Sequence, residues 1–260
     1  VTEHATSDPD PFRRVREIPT SGPPLVVHPE WGDEFPWLAQ GCTTRGDPEE
    51  PFDLALFGRA SEPRAVLDRW DRLLRATGLG RGFHAHQVHG AAVRFHARGE
   101  PGLHLALACD GHATADADVL LAVTTADCVP ISVVDPGRRA VALLHAGWRG
   151  AAAGILERGV AVLSERTASD PGELRVHLGP AICGRCYEVG PEVFTALGLE
   201  APAGPEPLDL RVALARRAVL AGVAPGHVTI SEHCTRCGEG FFSHRGGDPW
   251  RQVAFLGMHA

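Results

Sequence analysis

Three side chains able to hold a metal or carry out nucleophilic chemistry each stand at the end of a strand-like run. Cys128 follows the run Val119 to Thr125, His145 ends the run that begins at Ala140, and His89 follows Phe83 to Val88. Two imidazoles and one thiolate make a three-ligand zinc site with a fourth position open, the arrangement of catalytic zinc. Zinc in such a site lowers the pKa of a bound water to roughly 7 and supplies hydroxide at neutral pH. Two other readings compete on spacing alone. One is a dyad with Cys128 as nucleophile and His145 as base. The other is a buried Cys in an apolar sheet with unrelated histidines.

Nearby residues set limits on the metal. His84 and His86 form a His-x-His pair, which invites copper. Blue-copper sites combine His and Cys in a trigonal set, usually with a weak axial Met. This chain has one His-x-His pair, no His-Cys-His, and a single Met at 258. The pair therefore reads as part of a half-exposed strand, with His84, His86 and Val88 on one face and Gln87 and His89 on the other.

Neighbouring strands must deliver these residues. Val119 to Thr125, Ile131 to Val134 and Ala140 to Leu144 read as strands, with a turn at Asp135-Pro136-Gly137. Gly147 and Gly150 bracket Trp148-Arg149 in a strand-to-helix turn, and Ala151 to Arg166 reads as a helix. Glycines there let backbone N–H groups approach a ligand, and the helix start with Arg149 suits an anion such as phosphate. Further strands are expected at Leu25 to His28, Trp37 to Thr44, Val176 to Leu178 and Val228 to Ile230. Helices are expected from Pro63, capped by Ser61 and closed by Gly78, from Pro191 to Leu197, and from Leu210 to Ala221, capped by Asp209.

Two Cys-x-x-Cys pairs, Cys183/Cys186 and Cys234/Cys237, raise the question of a structural metal, although the interval between them is far longer than a compact zinc ribbon uses. Ser243-His244-Arg245 follows two Phe residues as a polar group that either faces the site or forms a surface turn.

A chain of 260 residues, 44% hydrophobic, is long enough for a sizeable core, and its net charge of -7 argues against a general nucleic-acid binder. All 25 basic residues are Arg, which excludes Schiff-base chemistry and a P-loop lysine. Seven Cys, no apolar leader and no run long enough to span a bilayer imply a reduced, cytoplasmic protein with no membrane partner. Residues 1 to 24 read as a loose arm and 25 to 260 as one domain without an internal linker.

Six ordered motifs carry a resemblance. Gln87-Val-His-Gly90, Thr125-Ala-Asp-Cys-Val-Pro130, His145-Ala-Gly-Trp-Arg-Gly150, Gly179-Pro-Ala-Ile182, Cys186-Tyr-Glu-Val-Gly190 and Phe242-Ser-His-Arg245 together resemble the YfiH family over residues 37 to 256. That family is also called the laccase-domain or multicopper polyphenol oxidase family, and peptidoglycan editing factor. The resemblance implies an α/β fold, a single-domain layered sandwich with mixed sheets of the cytotoxin-deamidase type. It implies a zinc held by His89, Cys128 and His145. It also implies phosphorolysis of adenosine, inosine or methylthioadenosine, with adenosine deamination in which zinc-bound hydroxide attacks adenine C6. Arg149, Arg45, Gln87, His244 and Arg245 are the candidate contacts to nucleoside and phosphate. The alternatives are copper-dependent oxidation of phenols and a role in peptidoglycan precursor editing. The chain departs from the family after Thr44-Arg45, where Gly46-Asp47-Pro48 replaces Gly-Gly-x-Ser, and in the first helix, where Asp71-Arg72 stands for Asn-Arg.

Overall fold

Strands buried on both faces read as continuous apolar runs, and such runs form the centre of this protein. The computed structural model describes residues 11–58 and 60–260. Among the described residues, fourteen strands form two sheets of seven. Sheet one runs in the order β1 (Arg13–Val15), β15 (Val228–Ser231), β12 (Arg175–Leu178), β10 (Val129–Asp135), β11 (Ala140–Ala146), β8 (Gly111–Thr114) and β6 (Val93–Phe95). Sheet two runs β2 (Ile18–Pro19), β3 (Leu25–Val27), β4 (Leu38–Thr43), β16 (Gln252–Met258), β9 (Val119–Thr125), β5 (Arg81–Ala85) and β7 (Gly102–Ala106). Both sheets are mixed: β10–β11 and β16–β9 are antiparallel, whereas β12–β15 and β5–β9 are parallel. A short pair, β13 (Glu188–Val189) and β14 (Glu206–Pro207), stands apart.

The two-residue period of β11 shows how the layers stack. Ala140, Ala142, Leu144 and Ala146 pack with the helices α4 (Ile155–Thr167) and α6 (Leu210–Leu220) on one face. Val141 and Leu143 point the other way, against Leu121, Val123 and Leu256 of sheet two. The far face of sheet two, with Leu120, Ala122 and Phe255, is covered by Val66, Trp70 and Leu73 of α2 (Pro63–Thr77). The result is a four-layer sandwich, helix, sheet, sheet, helix, as the family resemblance implies. Short helices α1 (Pro29–Glu34), α3 (Trp148–Ala152) and α5 (Pro191–Ala196) fill the edges.

Several expectations need correction. The loose arm does not extend to residue 24: β1 pairs in parallel with β15, and β2 pairs with β3. Residues 1–10 lie outside the described residues. Glu62, not Ser61, is the N-cap of α2, and its side chain makes no capping bond. The helix expected over 151–166 is two helices, α3 and α4, because Gly154 between them takes φ 87°, outside the helical region. Gly78 at φ 66° and Asp209, which accepts the Arg211 N–H, do end and begin their helices as expected.

One topological feature positions the site. Three successive connections, β5 to β6, β7 to β8 and β9 to β10, each leave sheet two and enter sheet one. They carry His89, Asp110 and Cys128 respectively.

Candidate metal centre

The three sheet crossings bring their side chains together beside the end of β11. His145 is buried, Cys128 is partly exposed and His89 is exposed. Their ligand atoms all lie within 4.8 Å of one another. The Cys128 sulfur is 3.9 Å from His89 Nε2, and the two imidazoles meet edge to face with centroids 4.9 Å apart. A Cys-His dyad needs one imidazole; a second beside the same sulfur completes a ligand set for one ion. The donor chemistry, one soft thiolate and two imidazoles, fits zinc.

Asp110 organises this cluster and was not recognised from the sequence. It is fully buried. Its carboxylate accepts the backbone N–H of Val88 (3.2 Å), His89 (2.9 Å) and Gly90 (2.8 Å). It also accepts His145 Nδ1 at 3.0 Å, and its carbonyl accepts the His145 N–H. One side chain thus holds the His89 loop, where His89 itself takes φ 58°, and turns His145 Nε2 toward the ligand position. An Asp-Gly before a strand is the only sequence signal, and it looks like an ordinary turn.

Electrostatics follow the geometry. Burial alone would raise the Cys128 thiol, but the neighbouring His145 and His89 overcome it and bring it down to about 6. Burial alone would lower His145; the Cys128 thiolate and Asp110 reverse that and lift it to about 9. Each group thus favours the charged form of the other. Asp127, at φ 86°, precedes Cys128 and is clamped by the Thr235 hydroxyl and the Arg245 N–H, each at 2.6 Å.

The Gly-x-x-Gly turn is closely packed against the His89 and Cys128 loops. A Cβ at Gly147 would stand 3.0 Å from His89 Cδ2 and 3.1 Å from the Cys128 sulfur. A Cβ at Gly150 would stand 3.0 Å from the Gly90 carbonyl oxygen. Both glycines are bare so that the ligand loops can close on α3. Gly147→Ala is accordingly expected to lower affinity for a metal at this cluster about tenfold or more with little loss of helix content. Competition with a chromophoric chelator, alongside circular dichroism, checks this.

The cluster opens on a cleft of about 400 Å³. His84 and His86 also line it, so the half-exposed-strand reading is corrected: β5 ends at Ala85, His84 is buried and His86 exposed. His84 Nδ1 meets the Ala122 carbonyl at 3.1 Å, and its ring lies between Trp70 and Phe57. Burial takes His84 down to about 4. Among the described residues neither joins a metal-binding group.

Of the other expected contacts, His244 lines the cleft. Gln87 does too, but its amide is committed to Thr124: Oε1 accepts the Thr124 N–H and hydroxyl, and Nε2 donates to the Thr124 carbonyl. Arg45 is not at the cleft; Asp248 grips it through two hydrogen bonds and Phe242 lies beneath it. Arg245 reaches the Glu188 carbonyl and stacks over Tyr187, while Arg149 stacks over Trp148. Arg251, overlooked in the sequence, is the arginine that lines the cleft among the described residues.

A family model described as multi-copper polyphenol oxidoreductase laccase matches residues 41–259. The chain belongs to that laccase family. Its similarity to purine nucleoside phosphorylase YlmD of Geobacillus stearothermophilus is 39% identity, covering 86% of this chain and 91% of that one. Adenosine deaminase RL5, from an unknown prokaryotic organism, is 38% identical over 49% of this chain and 53% of that one. The crystal structure of YlmD from Geobacillus stearothermophilus superposes with a TM-score of 0.84 at 31% identity, covering 97% of this chain and 100% of that one. This laccase-family chain therefore shares its whole fold with a solved relative. Among the described residues, no helix is long and apolar enough to cross a membrane.

Proposed function

We propose that this chain is a zinc-dependent enzyme of purine nucleosides, cleaving adenosine, inosine or methylthioadenosine with phosphate and deaminating adenosine. The observation that carries the reading is the convergence of His89, Cys128 and His145 on the wall of a cleft of about 400 Å³. Small-molecule sites typically span ~300–1,000 Å³. The names of the phosphorylase and deaminase relatives point to the same substrate class. Zinc held there supplies Lewis acidity and an acidified water.

The chain's own residues do the rest. Asp110 keeps the proton on His145 Nδ1 and so leaves Nε2 as a ligand atom. Phe57, 52% exposed, and His86, with ring centroids 5.0 Å apart at the cleft, offer the purine a stacking surface. Arg251, its Nη1 directed by the carbonyls of Asp248 and Trp250, grips phosphate together with His244. Arg45, held by Asp248, leaves that role to them.

The family description favours a second reading, copper-dependent oxidation of phenols. One thiolate and two imidazoles also accept copper. Among the described residues, however, the only other metal-binding group is four cysteines, which does not build a blue multicopper centre.

Incubation with adenosine, with and without phosphate, separates these readings by chromatography. Adenine is expected only with phosphate, and inosine in both cases. Arg251→Ala is expected to raise the KM for phosphate about tenfold, the worth of one charge-assisted bond, and to affect deamination less. No product from any nucleoside, with copper-dependent oxygen uptake on a phenol, overturns the proposal.

A further inference from the structure

We propose that Cys183, Cys186, Cys234 and Cys237 hold a structural zinc ion, separate from the cleft. The interval of residues 187–233 between the two Cys-x-x-Cys pairs looked too long for a zinc ribbon. The fold removes that objection. Strands β12 and β15 are parallel neighbours, so the loops leaving their C-terminal ends lie side by side. Ala181 and Cys234 form a parallel bridge there, and the Thr235 N–H donates to the Ala181 carbonyl.

All four sulfurs lie within 4.8 Å of one another. Tetrahedral zinc with Zn–S near 2.3 Å separates its sulfurs by about 3.8 Å. The Cys183 and Cys237 sulfurs are 3.9 Å apart. That is a ligand spacing, well beyond the ~2.05 Å of a disulfide.

The local backbone also has the form of a metal knuckle. The Cys234 sulfur accepts the N–H of Cys183 at 3.3 Å and of Cys237 at 3.4 Å, bonds that favour a thiolate. Gly238 closes the turn: its N–H donates to the Cys234 carbonyl, and a Cβ there would stand 2.5 Å from that oxygen. The Cys186 N–H donates to the Cys183 carbonyl in the matching turn of the first pair. Four thiolates around one divalent ion leave a net charge of about -2. Arg14, Arg16 and Arg185 line the adjoining cavity, together with Glu232, Glu239 and Arg211, the last paired with Asp209.

Such an ion fastens two loops that contact residues adjoining the cleft-lining His244 and Cys128. The first continues into Tyr187 and Glu188, which meet Arg245. The second carries Thr235, whose hydroxyl holds Asp127 beside Cys128. The ion is thus a brace for the backbone that presents Cys128, and it takes no part in chemistry.

The test does not depend on what the cleft does. In the variant His89→Ala/Cys128→Ala/His145→Ala, purified under reducing conditions without added metal, elemental analysis is expected to find about one zinc per chain. Adding Cys234→Ser/Cys237→Ser is expected to remove it. Cobalt loaded into the first variant is expected to show thiolate-to-cobalt charge transfer and intense tetrahedral bands. Zinc X-ray absorption of the unsubstituted chain supplies a reading that needs no variant: a sulfur-rich shell is expected. Four thiols that titrate freely in a zinc-free first variant, a disulfide within the cluster in anaerobically prepared protein, or a shell with a single sulfur overturns the proposal.

Discussion

Cys128→Ala is expected to remove zinc from the cleft and bring nucleoside turnover to background, while the melting temperature stays close to that of the parent. On the proposed reading the sulfur is the one soft donor among three ligands. Two imidazoles that remain hold zinc far more weakly. The fold depends little on this side chain. Cys128 is partly exposed, at the bend between β9 and β10, and the bend is held by Asp127, Thr235 and Arg245. Replacing a small side chain there costs about 1 kcal/mol or less. Elemental analysis, product chromatography and a thermal melt on the same preparation check all three parts. Full zinc together with full turnover sinks the ligand assignment.

Asp110→Asn is expected to damage both metal binding and stability. The carboxylate accepts three backbone N–H groups and the His145 ring at a site with no access to water. An amide in its place turns an NH2 toward at least one of those donors. Bonds to a buried charge are worth ~1.5–3 kcal/mol each, so a loss on the order of 3 kcal/mol follows. With the His145 ring no longer steered, zinc affinity is expected to fall about 10–100-fold. Acid sensitivity changes as well. Burial alone would raise the Asp110 carboxyl, but His145 and the backbone donors of Gly90 and Val88 bring it below the usual range. Its contribution to stability is present above the ordinary carboxylate pKa and is lost as pH falls through the depressed folded value. The Asn variant lacks that acid limb. Chelator competition and melts across acidic pH measure both effects; unchanged affinity shows that Asp110 does not orient the ligands.

The convergence of His89, Cys128 and His145 was legible because each is a chemically distinctive residue at or soon after the end of a strand. The central strands were legible for the same reason: burial on both faces leaves little but Val, Leu, Ile and Ala. Asp110 was not, because its role lies in tertiary hydrogen bonds between segments far apart in the chain. Arg45 and Arg251 show the same limit. An arginine's side chain is long, and its partner decides whether it braces a loop, as Asp248 makes Arg45 do, or lines a cleft. The edge strands β1 and β2 escaped notice because strands of two or three residues among Pro and Arg carry no period. The break at Gly154 was visible as a glycine, but a glycine inside an apolar periodic run does not announce its φ.

Both sheets bond through their own ladders, whereas His89, Asp110 and Cys128 all sit in the short spans where the chain changes sheet. Three of the four residues that build the candidate centre therefore stand outside the ladders, and His145, in β11, is the exception. An insertion in any one of those spans would leave every strand pairing in place and scatter the donors. A relative could keep the whole sandwich and have lost, or exchanged, its chemistry; the length of these three spans is what to inspect before an activity is transferred from one member to another.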